Sequence, residues 1–528
     1  MWGRIKLNEV SLCSLETRIS RAKATDISLY VNDWTTTDRW DVIRAHLGRI
    51  SRITVDGDIA FEQSAALLPR LEYSVMELDV DKEDVPVLTL KHFSLLATSP
   101  TDASPSFFPS TKLLQTLELR NADLIYDDVW EHGLEFPEFP SLKTLKIHHV
   151  DNQMGVSQLG EDGLLDMLSR VPLIEVVELV WDLDPRRENE KEDSTWHRAT
   201  VGDTLLLPHL KELTLHLYTP DIASLLLSLR SGAPLEKLDV RCLPYPMSDG
   251  YGQRMKDSDD FIEAMPNIAS SASLPVASLP LLSASFFSHS DDLLDSDDPY
   301  HLAMDPPGNL LLSMRFWNTT ADSLPSDFEP DYPISIFLNT PDVYFAGEDR
   351  GTSIVSAFSK QLQTVTSITV DTSWQTQRYW EALAHFPCIS SIRILSSHSF
   401  NGFLDLLSQA NGKSEDFHSP SSSESAPYLA LERISVVGIL FGKGDYGIQR
   451  LIKVLGDRSR GEKVKALSVH FEDTRGLLRS EVNALSAVVA KVTVTFPSIE
   501  PAGEVSAAMG GYAPEDYHTG PQCESGIQ

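Results

Sequence analysis

The sequence predicts an α/β solenoid, a curved parallel sheet with helices on its convex side, and three observations carry that expectation. A six-residue frame, apolar-x-x-apolar-x-apolar, recurs along most of the chain at intervals that hold one helix and one strand, the mark of stacked repeats. Its clearest copies place a proline two residues ahead of the first apolar position. Between copies lie stretches whose apolar residues fall at i, i+3, i+4 and i+7, the spacing of one buried helical face.

The proline-marked copies are Phe139-Pro140-Ser141-Leu142 leading into Leu145 and Ile147, Val171-Pro172-Leu173-Ile174 into Val177 and Leu179, Leu207-Pro208-His209-Leu210 into Leu213 and Leu215, and Phe386-Pro387-Cys388-Ile389 into Ile392 and Ile394. Copies without that proline are Ala24/Ile27/Leu29, Ile50/Ile53/Val55, Leu114/Leu117/Leu119, Leu235/Leu238/Val240, Val365/Ile368/Val370, Leu431/Ile434/Val436, Val464/Leu467/Val469 and Val489/Val492/Val494. Looser copies stand at Val75/Leu78/Val80, Leu281/Ala284/Phe286 and Leu311/Met314/Phe316. Helices are expected over Asp221–Ser231 (Ile222, Leu225, Leu226, Leu229) and Gly447–Gly456 (Ile448, Leu451, Ile452, Leu455), with similar faces at Leu164/Leu165/Leu168/Val171 and Phe403/Leu406/Leu407/Ala410. Proline cannot continue the helical hydrogen-bond ladder, so Pro140, Pro172, Pro208 and Pro387 are expected to end each helix and turn the chain toward its strand. Such units join by right-handed crossovers, all strands running the same way.

At 528 residues the chain exceeds one compact core, which a solenoid avoids by growing in one dimension. Regular repeats are expected over 1–243, irregular repeats with an acidic, Ser/Pro-rich insertion over 244–353, the last part of the solenoid over 354–497, and a flexible tail over 498–528. Further loops are expected at Arg186–Asp193 and Lys413–Pro427. No stretch is apolar enough to cross a bilayer and no basic and apolar leader opens the sequence, which predicts a cytoplasmic or nuclear protein. A net charge of −32 disfavours phosphate backbones and anionic membranes, so neither nucleic acid nor membrane is an expected partner. The four cysteines (Cys13, Cys242, Cys388, Cys523) are scattered, with no zinc-ligand spacing and no disulfide framework.

Catalytic motifs are not found. Val437 to Gly444 lacks the glycine and the Ser/Thr of a phosphate loop, and the acidic run Asp291–Asp298 lacks calcium-loop spacing. His148 and His149 point to opposite faces of a strand and do not share a metal. The expectation is a non-enzyme without cofactor or metal. The concave face offers the candidate site: the position after the last apolar residue holds Arg120, His148, Val180, His216 and Arg241 in successive copies, and His470 much later. Such a strip could read an acidic or phosphorylated peptide, with Lys146, Glu212, Thr214 and Asp239 as further contacts; the alternative is that these are ordinary exposed strand residues with no shared ligand.

Trp2-Gly-Arg-Ile5-Lys-Leu7, Thr25-Asp-Ile-Ser-Leu29, the segment Trp40 to Ser51 and Leu67-Leu-Pro-Arg-Leu71 resemble the F-box/leucine-rich-repeat proteins of mushroom-forming fungi. The resemblance implies an irregular leucine-rich-repeat solenoid. In that family an N-terminal F-box docks on the Skp adaptor of a cullin ubiquitin ligase and the repeats hold the substrate. No Leu-Pro-x-[Glu/Asp]-Ile-Leu-like stretch precedes Trp2, so Skp and cullin are expected only if an F-box lies upstream. The Asn or Cys expected eight residues after the first apolar position is replaced by Val150, Tyr218 and Leu243, which predicts irregular turns. The function expected is the substrate-binding part of an F-box-type ubiquitin-ligase adaptor; the alternative is a non-ligase structural or regulatory scaffold that binds a protein partner.

Overall fold

A computed structural model describes residues 4–7, 10–22, 27–32, 37–46, 49–56, 91–103, 113–124, 139–149, 165, 168–181, 205–232, 235–243, 259, 261–262, 281–290, 309–317, 334–341, 352–353, 355–372, 377–412, 430–441, 446–459 and 467–495. The strands are β1 (Arg4–Lys6), β2 (Ile27–Asn32), β3 (Ile50–Asp56), β4 (His92–Ala103), β5 (Thr116–Leu124), β6 (Thr144–His149), β7 (Val176–Trp181), β8 (Leu205–Leu207), β9 (Glu212–Tyr218), β10 (Leu229–Ser231), β11 (Lys237–Leu243), β12 (Ser283–Ser290), β13 (Asn309–Trp317), β14 (Ile334–Pro341), β15 (Ser367–Thr372), β16 (Ser391–Ile394), β17 (Arg433–Val437), β18 (Ser468–Glu472) and β19 (Lys491–Thr495). All but β8 and β10 belong to one 17-stranded, mostly parallel sheet. The fold is α/β.

Two apolar columns run across that sheet and explain why it forms. In register, Ile5, Leu29, Ile53, Phe93, Leu117, Leu145, Val177, Leu213 and Leu238 stand beside one another from β1 to β11. Val31, Val55, Leu119, Ile147, Leu179, Leu215 and Val240 form the second column, and both are buried. Alternation puts two such residues of each strand on one face, and fully burying each is worth about 1.5–3 kcal/mol. Helices cover that face. Leu15, Ile19 and Ala22 of helix Leu12–Ala22, Phe400, Phe403 and Leu407 of Ser397–Gly412, and Ile448, Leu451 and Leu455 of Tyr446–Ser459 join the columns in one core. The later helices pack side by side, Gln377–Leu383 against Ser397–Gly412, then Tyr446–Ser459, then Arg479–Ser486.

The prolines act as turn formers. Leu142 N–H donates to Phe139 O at 3.1 Å, Ile174 N–H to Val171 O at 3.1 Å and Leu210 N–H to Leu207 O at 3.3 Å, so each proline is the second residue of a tight turn, the position its fixed φ suits. Pro208 departs from expectation, because it follows strand β8 and not a helix. β8 pairs with β10 in a separate two-stranded parallel ladder, so the helix expected to Ser231 stops at Ser228 and the next three residues extend. Gly232 closes that turn against Pro208, whose Cα lies 2.8 Å from where a Cβ would stand.

The strands do not all run one way. Space between β11 and β15 is filled by β14, β13 and β12, in reverse of their chain order. β13 is antiparallel to both neighbours, whereas β14 is parallel to β11 and β12 to β15. An antiparallel β-meander thus stands where parallel repeats were expected. The columns pass through it without interruption, as Ile334, Phe316 and Ala284 in one and Ile336, Met314 and Phe286 in the other. The Leu311/Met314/Phe316 frame is therefore real in composition and inverted in direction. Two other frames are shifted by two residues: the register aligns Leu29 and Val31 in β2, and Val469 and Phe471 in β18, with the columns. Three strands, β1, β4 and β14, carry column residues outside the frames read from sequence. The acidic run 291–298, the loops at 186–193 and 413–427, the Val75 frame and the tail 498–528 lie outside the described residues.

Candidate functional site

Opposite the helices, the side chains between the columns form polar rows across the sheet. One row runs Ser94, Glu118, Lys146, Glu178, Thr214 and Asp239; its neighbour runs Arg120, His148, Val180, His216 and Arg241. The register thus brings eight of the nine candidate residues onto one face of β5–β11, Glu212 standing one step before Thr214 on β9. His470 is apart from them. It aligns with Ser435 and Thr493, eight strands beyond β9, in the Asp239 row and not the Arg241 row, because the β18 frame is shifted. Its ring contacts Thr495 Oγ1 at 3.2 Å.

Glu178, which sequence reasoning passed over, is the hub of the first cluster. Lys146 Nζ donates to its Oε2 at 2.6 Å, and His148 Nε2 lies 2.9 Å from its Oε1. The second contact becomes an ion pair only when the imidazole is protonated, and Nε2 makes no well-aligned hydrogen bond there. His148, then Lys146, outweigh the penalty of burial and hold the Glu178 carboxyl at about 2. The signal was present: Glu178 occupies the same frame position as Lys146 and Thr214, between the two column residues.

A second ladder precedes the strands, at the residue after each first apolar position. Glu175 accepts from Lys143 Nζ at 2.7 Å and from Lys211 Nζ at 2.6 Å, and these two lysines in that order hold its carboxyl at about 2. The backbone ladder that sets the spacing is Glu175 N–H to Lys143 O at 2.7 Å and Lys211 N–H to Glu175 O at 2.8 Å. Positive and negative side chains alternate from strand to strand, which relieves like-charge repulsion between neighbours about 5 Å apart.

The third cluster is at the junction with the meander. His216 Nε2 lies 3.3 Å from Asp239 Oδ2, both side chains less than a fifth exposed. Burial works against ionisation of Asp239, but His216, Arg241 and the Ser335 hydroxyl together hold its carboxyl below the ordinary range. The order across β9, β11 and β14 is imidazole, carboxylate, hydroxyl. A nucleophilic triad needs the imidazole in the middle to take the hydroxyl proton, so this arrangement binds charge and does not activate Ser335. Farther along, Arg393 Nη2 pairs with Glu472 Oε2 at 3.2 Å.

On the helical side an open depression is lined by Ser356, Ser359, Gln363, Glu381 and His385, but His385 Nδ1 is already 2.7 Å from the Glu381 carbonyl oxygen on its own helix. Among the described residues no group of three His, Cys, Asp or Glu side chains is placed to hold a metal ion, and no helix is long and apolar enough to cross a membrane. Cys13 and Cys388 are exposed and Cys242 is buried, its thiol pushed well up by desolvation. No protein-family model matches this chain, and no curated protein matches it.

Proposed function

We propose that this chain is a non-enzymatic protein-binding module, an irregular leucine-rich-repeat solenoid that offers the polar face of β5–β11 to a partner protein. The observation that supports this most is the set of partly buried, mutually ordered polar contacts on consecutive strands, ion pairs of Lys146 with Glu178 and of Lys143 and Lys211 with Glu175, and imidazole–carboxylate contacts of His148 with Glu178 and His216 with Asp239. Side chains already held in place lose little freedom when a partner binds, so the face is preorganised for recognition. Arg120 and Arg241 are exposed at its margin and supply cations for charge-assisted contacts. A job as the substrate-holding part of an F-box-type ubiquitin-ligase adaptor rests on the resemblance of the first hundred residues.

The test is affinity capture of the full, C-terminally tagged chain from its own organism beside an Arg120→Glu/Arg241→Glu variant. Both sites are exposed, but Arg241 also supports the Asp239 carboxylate, so an unchanged thermal midpoint of the variant is established before capture. Partners present with the wild type and absent with the variant support the face; equal capture by both removes it. Skp and cullin among the captured proteins support the ligase job, and partners without them favour the scaffold.

A further inference from the structure

The end of the stack carries an inference separate from the polar face. Val469 and Phe471 of β18 are fully buried, as their column equivalents are in the strands before them, whereas Val492 and Val494 of β19 are only partly covered. Among the described residues β19 pairs along one edge, with β18. The opposite end of the sheet, β1, is three residues long with Arg4 and Lys6 at its ends, which is how natural edges resist pairing. Among the described residues β19 has less of that protection, a single Lys491 at its start. It is five residues long, contains no proline and keeps regular register with β18.

Charge thins out at the same place. From Val482 to Thr495 the only charged residue is Lys491, in a chain that is 23% charged and carries a net −32. Such a chain repels its own copies except where its charge is depleted, and depletion of charge marks the core of interfaces. The sequence of β19 also complements itself. A two-fold axis perpendicular to the sheet through Thr493 sets Val492 opposite Val494 of the other copy and Lys491 opposite Thr495. Like charges do not meet, and both apolar faces stay on one side. Exposed Asn483, Ala484 and Ser486 of the last helix are small and uncharged, and crowd nothing there.

We propose that β19 is a homodimer edge, two copies pairing it antiparallel about Thr493 into one continuous sheet. Antiparallel partners at the axis stand about 4.5–5.5 Å apart at Cα, within disulfide range. In full-length protein with Cys13, Cys388 and Cys523 changed to serine, Thr493→Cys is expected to give a covalent dimer on mild oxidation, while Ser480→Cys on the exposed helix stays monomeric. Light scattering on the unmodified chain should report two copies, and Val494→Pro, which removes a donor from the outward edge while Thr493 and Thr495 keep facing β18, one. A monomer at every concentration overturns the proposal, whether β19 amides exchange freely or are protected by the chain's own tail. A dimer that Thr493→Cys fails to cross-link uses another surface and overturns it equally; the cross-link decides even if the proline variant does not fold.

Discussion

Replacing Phe316 by alanine tests whether the inverted meander holds the two parallel blocks together. Phe316 sits on β13, is fully buried, meets Phe286 edge-on at 6.2 Å and lies over Phe358 at 5.3 Å. Phe286 in turn meets Tyr379 at 5.6 Å, so the substitution opens a cavity in an aromatic cluster reaching from β13 to the helix Gln377–Leu383. Phe→Ala in a core costs about 3–5 kcal/mol. In a stack whose units touch only their neighbours, that loss stays near its origin. Hydrogen exchange along a urea series, read by mass spectrometry, gives local stability: for a segment with an m-value of about 2 kcal/mol/M, a 4 kcal/mol loss lowers its midpoint by about 2 M. Peptides from β11, β12, β14 and β15 should shift by that amount, while β2 and β3 stay within about 0.5 kcal/mol. An equal loss at β2 would refute the reasoning, since the sheet would then be one cooperative core. So would a loss below about 1 kcal/mol beside the substitution, which would mean that the ring is not needed to join the blocks.

Further outcomes follow from single sites. The Glu178 carboxyl is held near 2 in the folded chain, below its unfolded value of about 4.5, so its stabilisation is present above pH ~4.5 and lost as pH falls through about 2. Full linkage would be about 3 kcal/mol, and screening at a side chain 24% exposed reduces it to about 1–2 kcal/mol; Glu178→Gln should flatten the acid limb of a pH–stability curve by that much. Gly438 and Gly476 both have positive φ, but a Cβ at 438 meets open space whereas at 476 it would stand 1.8 Å from Phe441 O. Gly438→Ala should therefore cost about 1 kcal/mol and Gly476→Ala clearly more in thermal unfolding, with the latter parting the Leu440–Arg475 bridge. Thiol labelling of the native chain should modify Cys13 and Cys388 at once and Cys242 only on unfolding.

The strands were legible because their signal is local. Each parallel strand needs two buried residues two apart, and Leu145/Ile147 or Ile392/Ile394 show this inside one short window. Phase was harder, since Ile27, Leu29 and Val31 alternate without a break and only the neighbour Ile53 decides that Leu29 is the first column residue. Direction was not legible: Leu311/Met314/Phe316 reads alike in either sense, and its reversal depends on pairing with strands far away in sequence. The polar rows could be anticipated from frame positions, but Glu178 as the shared acceptor of Lys146 and His148, and Ser335 beside Asp239, depend on which strands become neighbours. His470 shows the converse, a residue assigned to the wrong row because its strand's phase was misread.

The swapped order of β12, β13 and β14 also sets a timetable for the chain as it leaves the ribosome. The outer edge of β11 finds its partner only when Ile334 to Leu338 of β14 emerge, long after Leu238. At synthesis rates of about 5–20 residues per second the first block waits on the order of ten seconds with that edge bare. The meander, whose contacts are hairpins, can assemble by itself meanwhile and dock as a unit, whereas β12 stays open on its far side until β15 arrives. A ribosome stall between the codons for Leu243 and Ser283 would hold a nascent chain with an open parallel edge, and that interval is when a chaperone would have most to do.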